Sequence, residues 1–379
     1  MKTPVRLEVR APRTNWRGRV EEAGLLWHTD SGDPYWSEDR NLVFTLEAAE
    51  VLEDAANELH AMCLVACDEI VRRGWWERLA IPDSAVGMIQ TSWLVRDPSL
   101  YGRFDLAWNG SGTPKLLEYN ADTPTSLLEA AVIQWQWLED VAASDDQLNS
   151  LHEALVERWK IFPEPMIHFA CKLDHLEDRQ TIAYLAETAE QAGKDVELMD
   201  IEEIGFSEEG RFTDLSERPI ERLFKLYPWE WMVNEPFFAE MGQERARFTE
   251  PAWKMMLSNK GLLPILWELN PGHRLLLPAA YSREGLGNVD RWVAKPFFGR
   301  EGAGVTLHSR GPFHSPPPLP TEDGPIVYQQ HADLFQASGQ HIVWGLWMVG
   351  DECRGLSARG DQGPVTGNMS RFLPHRIEG

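Results

Sequence analysis

Between residues 101 and 120 the chain stops repeating at helical intervals and alternates strictly, RFDLAW at 103–108 and then KLLEYN at 115–120, around NGSGTP at 109–114. Alternation of this kind reads as two strands, and Asn-Gly followed by Gly-Thr-Pro is loop chemistry that lets them pair as a hairpin. On a pleated strand Arg103, Asp105 and Ala107 share one face while Leu106 and Trp108 take the other, and Leu116, Glu118 and Asn120 share a face of the second strand. Antiparallel closure therefore brings Arg103, Asp105, Glu118 and Asn120 within side-chain reach of one another. Two carboxylates and an amide oxygen make a hard-oxygen set of the kind Mg²⁺ takes together with substrate phosphates. The same pattern also describes a solvated polar face with one Arg–Asp cross-strand pair, and spacing does not separate the two.

On either side the periodicity is helical or mixed. Leu42, Leu46, Ala49, Leu52, Ala56, Leu59, Cys63, Ala66 and Ile70 recur at three and four, which predicts a helix over 42–80 ending near Gly74. Ser126 with Glu129 three residues on reads as a capping box opening a helix over 126–140. Residues 165–200 read as strand, helix, strand, a βαβ-type unit without the GxGxxG of a dinucleotide site. Short apolar strands follow at 223–228, 292–297 and 326–330, and further strands from 342. GPFHSPPPLPTEDGP at 311–325 reads as a surface loop.

Composition narrows the function. With 36 Lys+Arg against 59 Asp+Glu, a formal charge of -23 argues against a nucleic-acid or anionic-lipid partner. Cysteines 63, 67, 171 and 353 form neither a disulfide framework nor a zinc ribbon. No signal peptide or membrane span is visible, so the expected compartment is the cytoplasm, with no membrane contact. The 17 tryptophans follow no repeat. KPFFGREGAGV at 295–305 places Lys295 at a strand end before a loop carrying Gly299, Gly302 and Gly304, the residue types that cradle phosphate. The companions of a kinase lysine, a P-loop and an HExxH zinc site are all missing.

Taken together, YGRFDLAW at 101–108, LEYNADTPTSLLEA at 117–130, FKLYPWEWM at 224–232, NKGLLPILWELNPGH at 259–273, AKPFFGREGAGV at 294–305, VYQQ at 327–330 and TGNMSRFLPH at 366–375 resemble the glutathionylspermidine synthase-like acid–amine ligases. The resemblance covers most of the chain. It implies an α/β (α+β) architecture, a permuted ATP-grasp fold with an associated βαβ pre-ATP-grasp-like subdomain, in one module over 1–379. Its approximate regions are a mainly helical 1–100, metal strands and substrate helix at 101–140, the βαβ subdomain at 160–225 and nucleotide-binding lobes at 226–379. By the same resemblance Asp105, Glu118 and Asn120 are the ligands of two Mg²⁺ ions, and Arg103 sits beside the transferring phosphoryl group. Lys260, Lys295, Gly302 and Gly304 hold ATP, Gln329 and Gln330 end the adenine hinge, and Thr125 and Ser126 receive the acid substrate. ATP-driven amide formation between a small-molecule or peptide carboxylic acid and an amine, such as a polyamine, is the implied reaction. Two departures stand out: there is no room for the amidase domain of the bifunctional members, and Gly304 occupies a position where many of the family carry Asn. The alternative is a non-catalytic ATP-binding regulatory or scaffold protein on the same fold.

Overall fold

The computed structural model describes residues 3–241, 246–310 and 324–379. Its architecture is mixed α/β, organised by a central antiparallel sheet. Strand Tyr101–Ala107 lies in the middle of that sheet, between Lys115–Asn120 on one side and Gln340–Val349 on the other, and Glu352–Asp361 and Arg371–Phe372 continue it. Every residue from Tyr101 to Ala107 is buried. Arg103 and Asp105 are therefore buried charges rather than a solvated face, and buried charges persist only when paired.

The predicted helix over 42–80 begins later than its spacing suggests. Residues Arg40–Phe44 are a strand, flanked by Val5–Val9 antiparallel and by His375–Ile377 parallel. Leu42, Val43 and Phe44 are all buried there, so this apolar run is covered on successive positions by strands from both ends of the chain, which local periodicity cannot reveal. Thr45 Oγ1 then accepts from Ala48 N at 3.3 Å, and the helix Leu46–Arg73 runs to Gly74, whose φ of 66° ends it. Its apolar stripe, Leu52, Leu59, Cys63 and Ile70, packs toward helix Leu262–Leu269 and the strands Gln340–Val349 and Glu352–Asp361. Cys63 and Cys67 are buried, and burial pushes both thiols up, as it does Cys171 and Cys353.

The βαβ unit forms as predicted: Met166–Cys171, helix Leu176–Gln191 and Asp195–Asp200, in a parallel four-stranded sheet with Arg222–Lys225 and Arg247–Thr249. It is tied to the central sheet by buried ion pairs. Lys225 Nζ meets Asp122 at 2.6 Å and Lys254 Nζ meets Glu250 at 3.3 Å, and Glu250 also accepts from the backbone N–H groups of Leu100 and Tyr101. A third sheet, ordered Ala279–Ala280, Ile326–Gln330, Arg291–Pro296, Thr306–Ser309, faces the carboxylate strands across a cleft. Of the predicted loop at 311–325, residues 311–323 lie outside the described residues.

Candidate active site

The hairpin register pairs Arg103 with Asn120 and Asp105 with Glu118, and then slips, so that Leu106 pairs with Leu116. Leu117 is thus the extra residue of a bulge. The slip corrects one expectation: Leu116 joins Leu106 in the apolar core instead of sharing the face of Glu118, while Leu117 lines the cleft. Bulges free carbonyl groups from the ladder. Here the Leu117 carbonyl accepts from Lys295 Nζ at 3.0 Å, and the Leu116 carbonyl accepts from Gln329 Nε2 at 3.0 Å.

The four hairpin residues do converge. Arg103 Nε donates to Asp105 Oδ1 at 2.7 Å and its Nη2 to Oδ2 at 3.2 Å, a two-pronged pair fixed by a further bond from Nη1 to the Thr125 carbonyl at 2.6 Å. Asp105 Oδ2 also accepts from Arg359 Nη2 at 3.1 Å. Arg359 is an addition to the predicted set. Asn120 Nδ2 lies 3.3 Å from Asp105 Oδ2 and 3.3 Å from Glu118 Oε1. Lys260 Nζ stands 3.1 Å from Glu118 Oε2 and donates to the Gly299 carbonyl at 2.6 Å, so it links the metal-type carboxylate to the glycine loop.

Electrostatics follow from that geometry. Burial alone would raise the Glu118 carboxyl, but Lys260 and Lys295 together with bonds from Lys260 and Asn120 hold it down at about 2. Lys295 is 7% exposed, and burial pushes its ammonium down to about 8 despite the attraction of Glu118. Arg103, Arg359, Lys260 and Lys295 thus surround the Asp105 and Glu118 carboxylates, a local excess of positive charge, while Asp122, Glu230 and Glu301 with Arg300 balance the lining of the cleft as a whole. Such a centre suits a polyanion.

The remaining predicted residues distribute as follows. Gly302 lines the cleft with φ 72°, against Val365 and Thr366 of the tail. Gly304 has φ 69° and is not among the lining residues. Gln329 is buried, its amide committed to Lys295 and Leu116, while Gln330 lines the same wall beside His331. Thr125 lines the cleft. Ser126 is buried behind it at φ 70°, with Oγ 2.7 Å from Tyr35 Oη. That bond replaces the predicted capping box: the helix starts at Leu127 and passes through a wider π turn, Glu129–Ile133, before Gln134–Ala142. Glu129, buried under Tyr35, and Glu177, pushed up to about 8 by burial and by Glu129, make an acidic corner beyond Thr125. Sequence reasoning missed this corner, because its members lie on separate elements.

The donors present fit Mg²⁺. Asp105, Glu118 and Asn120 offer hard oxygens from paired positions, and a half-turn of the Asn120 amide presents Oδ1 where Nδ2 now sits. Among the described residues no group of three His, Cys, Asp or Glu side chains could hold a metal.

The fold is thus mixed α/β, with a cleft in which four basic side chains meet two carboxylates on a buried hairpin. Residues 7–378 match the family described as glutathionylspermidine synthase preATP-grasp, and the chain belongs to that family. It is 40% identical over 365 residues to a putative acid–amine ligase of Haemophilus influenzae, covering 92% of each chain. It is 27% identical over 354 residues to trypanothione synthetase of Crithidia fasciculata, covering 85% of this chain and 54% of that one. Among solved structures, a glutathione synthetase-like effector from Globodera pallida shares the fold, with a TM-score of 0.59 at 11% identity over 89% of each chain. No helix among the described residues is long and apolar enough to cross a membrane.

Proposed function

We propose that this protein is an ATP- and Mg²⁺-dependent carboxylate–amine ligase working on a permuted ATP-grasp fold. The observation that carries the reading is the Asp105–Glu118 pair ringed by Arg103, Arg359, Lys260 and Lys295. Family membership and the acid–amine ligase name of the Haemophilus relative support it.

The nucleobase has an apolar slot between Val293, Leu307, Leu334 and Val343, with Gln330 and His331 at its edge. Lys295 and Lys260 then meet the phosphates, and the loop after Pro296 covers them. Asp105, Glu118 and Asn120 would hold Mg²⁺, which supplies charge neutralisation for the triphosphate. A carboxylate oxygen of the acid substrate, placed by Thr125, attacks the γ-phosphorus, and the bond from that phosphorus to the bridging oxygen of ADP breaks. The amine nitrogen then attacks the resulting acyl phosphate, phosphate leaves with the carbon–oxygen bonding pair, and one amine proton is released. Arg103, fixed by Asp105 and the Thr125 carbonyl, stands where it stabilises the charge that develops in both steps.

The experiment is release of ADP and phosphate by purified protein with Mg·ATP, against a matrix of acids and amines, with products weighed by mass spectrometry. A product equal to acid plus amine less water, formed only when both are present, supports the ligase. Tight ATP binding without turnover across the matrix favours a non-catalytic nucleotide binder.

A further inference from the structure

The loop that follows Lys295 has its own attachment across the cleft, formed by one side chain. Arg300 Nη1 donates to Thr123 Oγ1 at 3.1 Å, its Nη2 donates to Glu230 Oε1 at 2.7 Å, and its guanidinium lies 5.1 Å from the centre of the Trp231 ring. Thr123 belongs to the opposite wall, three residues beyond Asn120, and Glu230 and Trp231 belong to the helical turn Trp229–Met232. All three elements border the cleft or its mouth.

We infer that Arg300 is a positioning residue that latches the phosphate-covering loop onto the Thr123 wall. The inference rests on the ligase reading above and adds a residue to it. Three observations carry it. The guanidinium is bound on two of its nitrogens by groups from two different segments, so it fixes the loop in orientation as well as in position. Glu230 is only 16% exposed against 40% for Arg300, so the arginine reaches from the surface onto the more buried of the two groups. The backbone next to it turns sharply, with Glu301 at φ 49° and Gly302 at φ 72°, and it lies so close to the tail that a Cβ on Gly302 would overlap the Thr366 carbonyl oxygen, so the guanidinium leaves from a fixed bend. Lys260 holds the loop at the Gly299 carbonyl, and Arg300 adds a second hold on the Thr123 wall. Closing it from the far wall keeps nucleotide and intermediate in place while the amine arrives.

The test is stopped-flow binding and release of Mg²⁺ with N-methylanthraniloyl-ATP by the full chain. For Arg300→Ala the dissociation rate should rise about tenfold, the scale of one charge-assisted hydrogen bond, with the association rate little changed. Arg300→Lys, which keeps charge without the fork, should fall between. Thr123→Val and Glu230→Gln should each raise dissociation, and neither should add to Arg300→Ala, because all three act through one latch. An Arg300→Ala dissociation rate within about twofold of the parent overturns the latch and leaves the ligase reading standing. Failure of the parent to bind Mg·nucleotide sinks the ligase reading and the latch with it. Should Arg300→Ala not fold, Thr123→Val, which removes a single hydroxyl, decides the question by the same rate.

Discussion

Gln329 holds Lys295 from the side: its Oε1 accepts from Lys295 Nζ at 2.7 Å while its Nε2 donates to the Leu116 carbonyl at 3.0 Å. The amide is a strut between two sheets, and the lysine is aimed by it. Gln329→Leu keeps the volume and removes both bonds, leaving a buried ammonium with the Leu117 carbonyl alone. Mg·ATP affinity measured by calorimetry should fall about tenfold or more, the worth of a hydrogen bond to a charged group. Gln330→Ala, on the neighbouring position with no such strut, should cost less.

The two carboxylates should differ in what their loss does. Asp105 is buried between Arg103 and Arg359, so Asp105→Ala leaves the buried Arg103 guanidinium facing the part-buried Arg359 with no carboxylate between them, and calorimetric unfolding should show a loss of ~3–5 kcal/mol. Glu118 has a side chain 25% exposed to the cleft. Glu118→Gln, which leaves Lys260 and Lys295 without their carboxylate, should lower the melting temperature less than Asp105→Ala does, while ATP-dependent turnover falls by about 10²–10³.

Lys295 sets a pH limit. Its folded pKa of about 8 lies below its ordinary 10.5, so above pH 8 the ammonium that we propose for the phosphates is progressively lost. Mg·ATP affinity should fall from pH 7 to 9, approaching about tenfold per unit beyond pH 8, and Lys295→Arg, which stays charged, should flatten the profile. Folding moves the other way. The unfolded chain binds the extra proton between pH 8 and 10.5, so this group's contribution to stability rises with pH over that window. A melting curve that does not weaken while binding is lost would separate the two.

Gly302→Ala should act on the loop alone. Its φ of 72° disfavours any side chain, and the new methyl would meet the Thr366 carbonyl and Val365. The KM for ATP should rise about tenfold or more, with a melting temperature within a few degrees of the parent, since the strain falls on a loop rather than on the core.

How much of this was legible in the sequence depends on the span of each contact. Arg103, Asp105, Glu118 and Asn120 could be grouped from alternation alone, because a hairpin is local and its faces follow from counting by two. The bulge at Leu117 has no marker in KLLEYN, yet it supplies the carbonyls that aim Lys295 and Gln329. Arg359 lies 254 residues from Asp105 and was invisible for that reason. Ser126 has the spacing of a cap because Glu129 stands three residues on, whereas its hydroxyl is claimed by Tyr35, 91 residues earlier. Arg40–Phe44 fell in phase with the helix that follows it, and only strands from the two ends of the chain make it a strand.

The position of strand Tyr101–Ala107 has a consequence for how the protein is made. Its partner on one side, Lys115–Asn120, emerges from the ribosome almost at once, but its partner on the other, Gln340–Val349, arrives after more than two hundred further residues. Until then Arg103 and Asp105 line an open sheet edge, and Arg359 does not yet exist to neutralise its carboxylate. Pairings so distant are slow to form and leave edges open to wrong partners. The cleft is therefore among the last parts to close during synthesis, and a nascent chain halted before residue 340 holds Asp105 by Arg103 alone, on a strand with one edge still open.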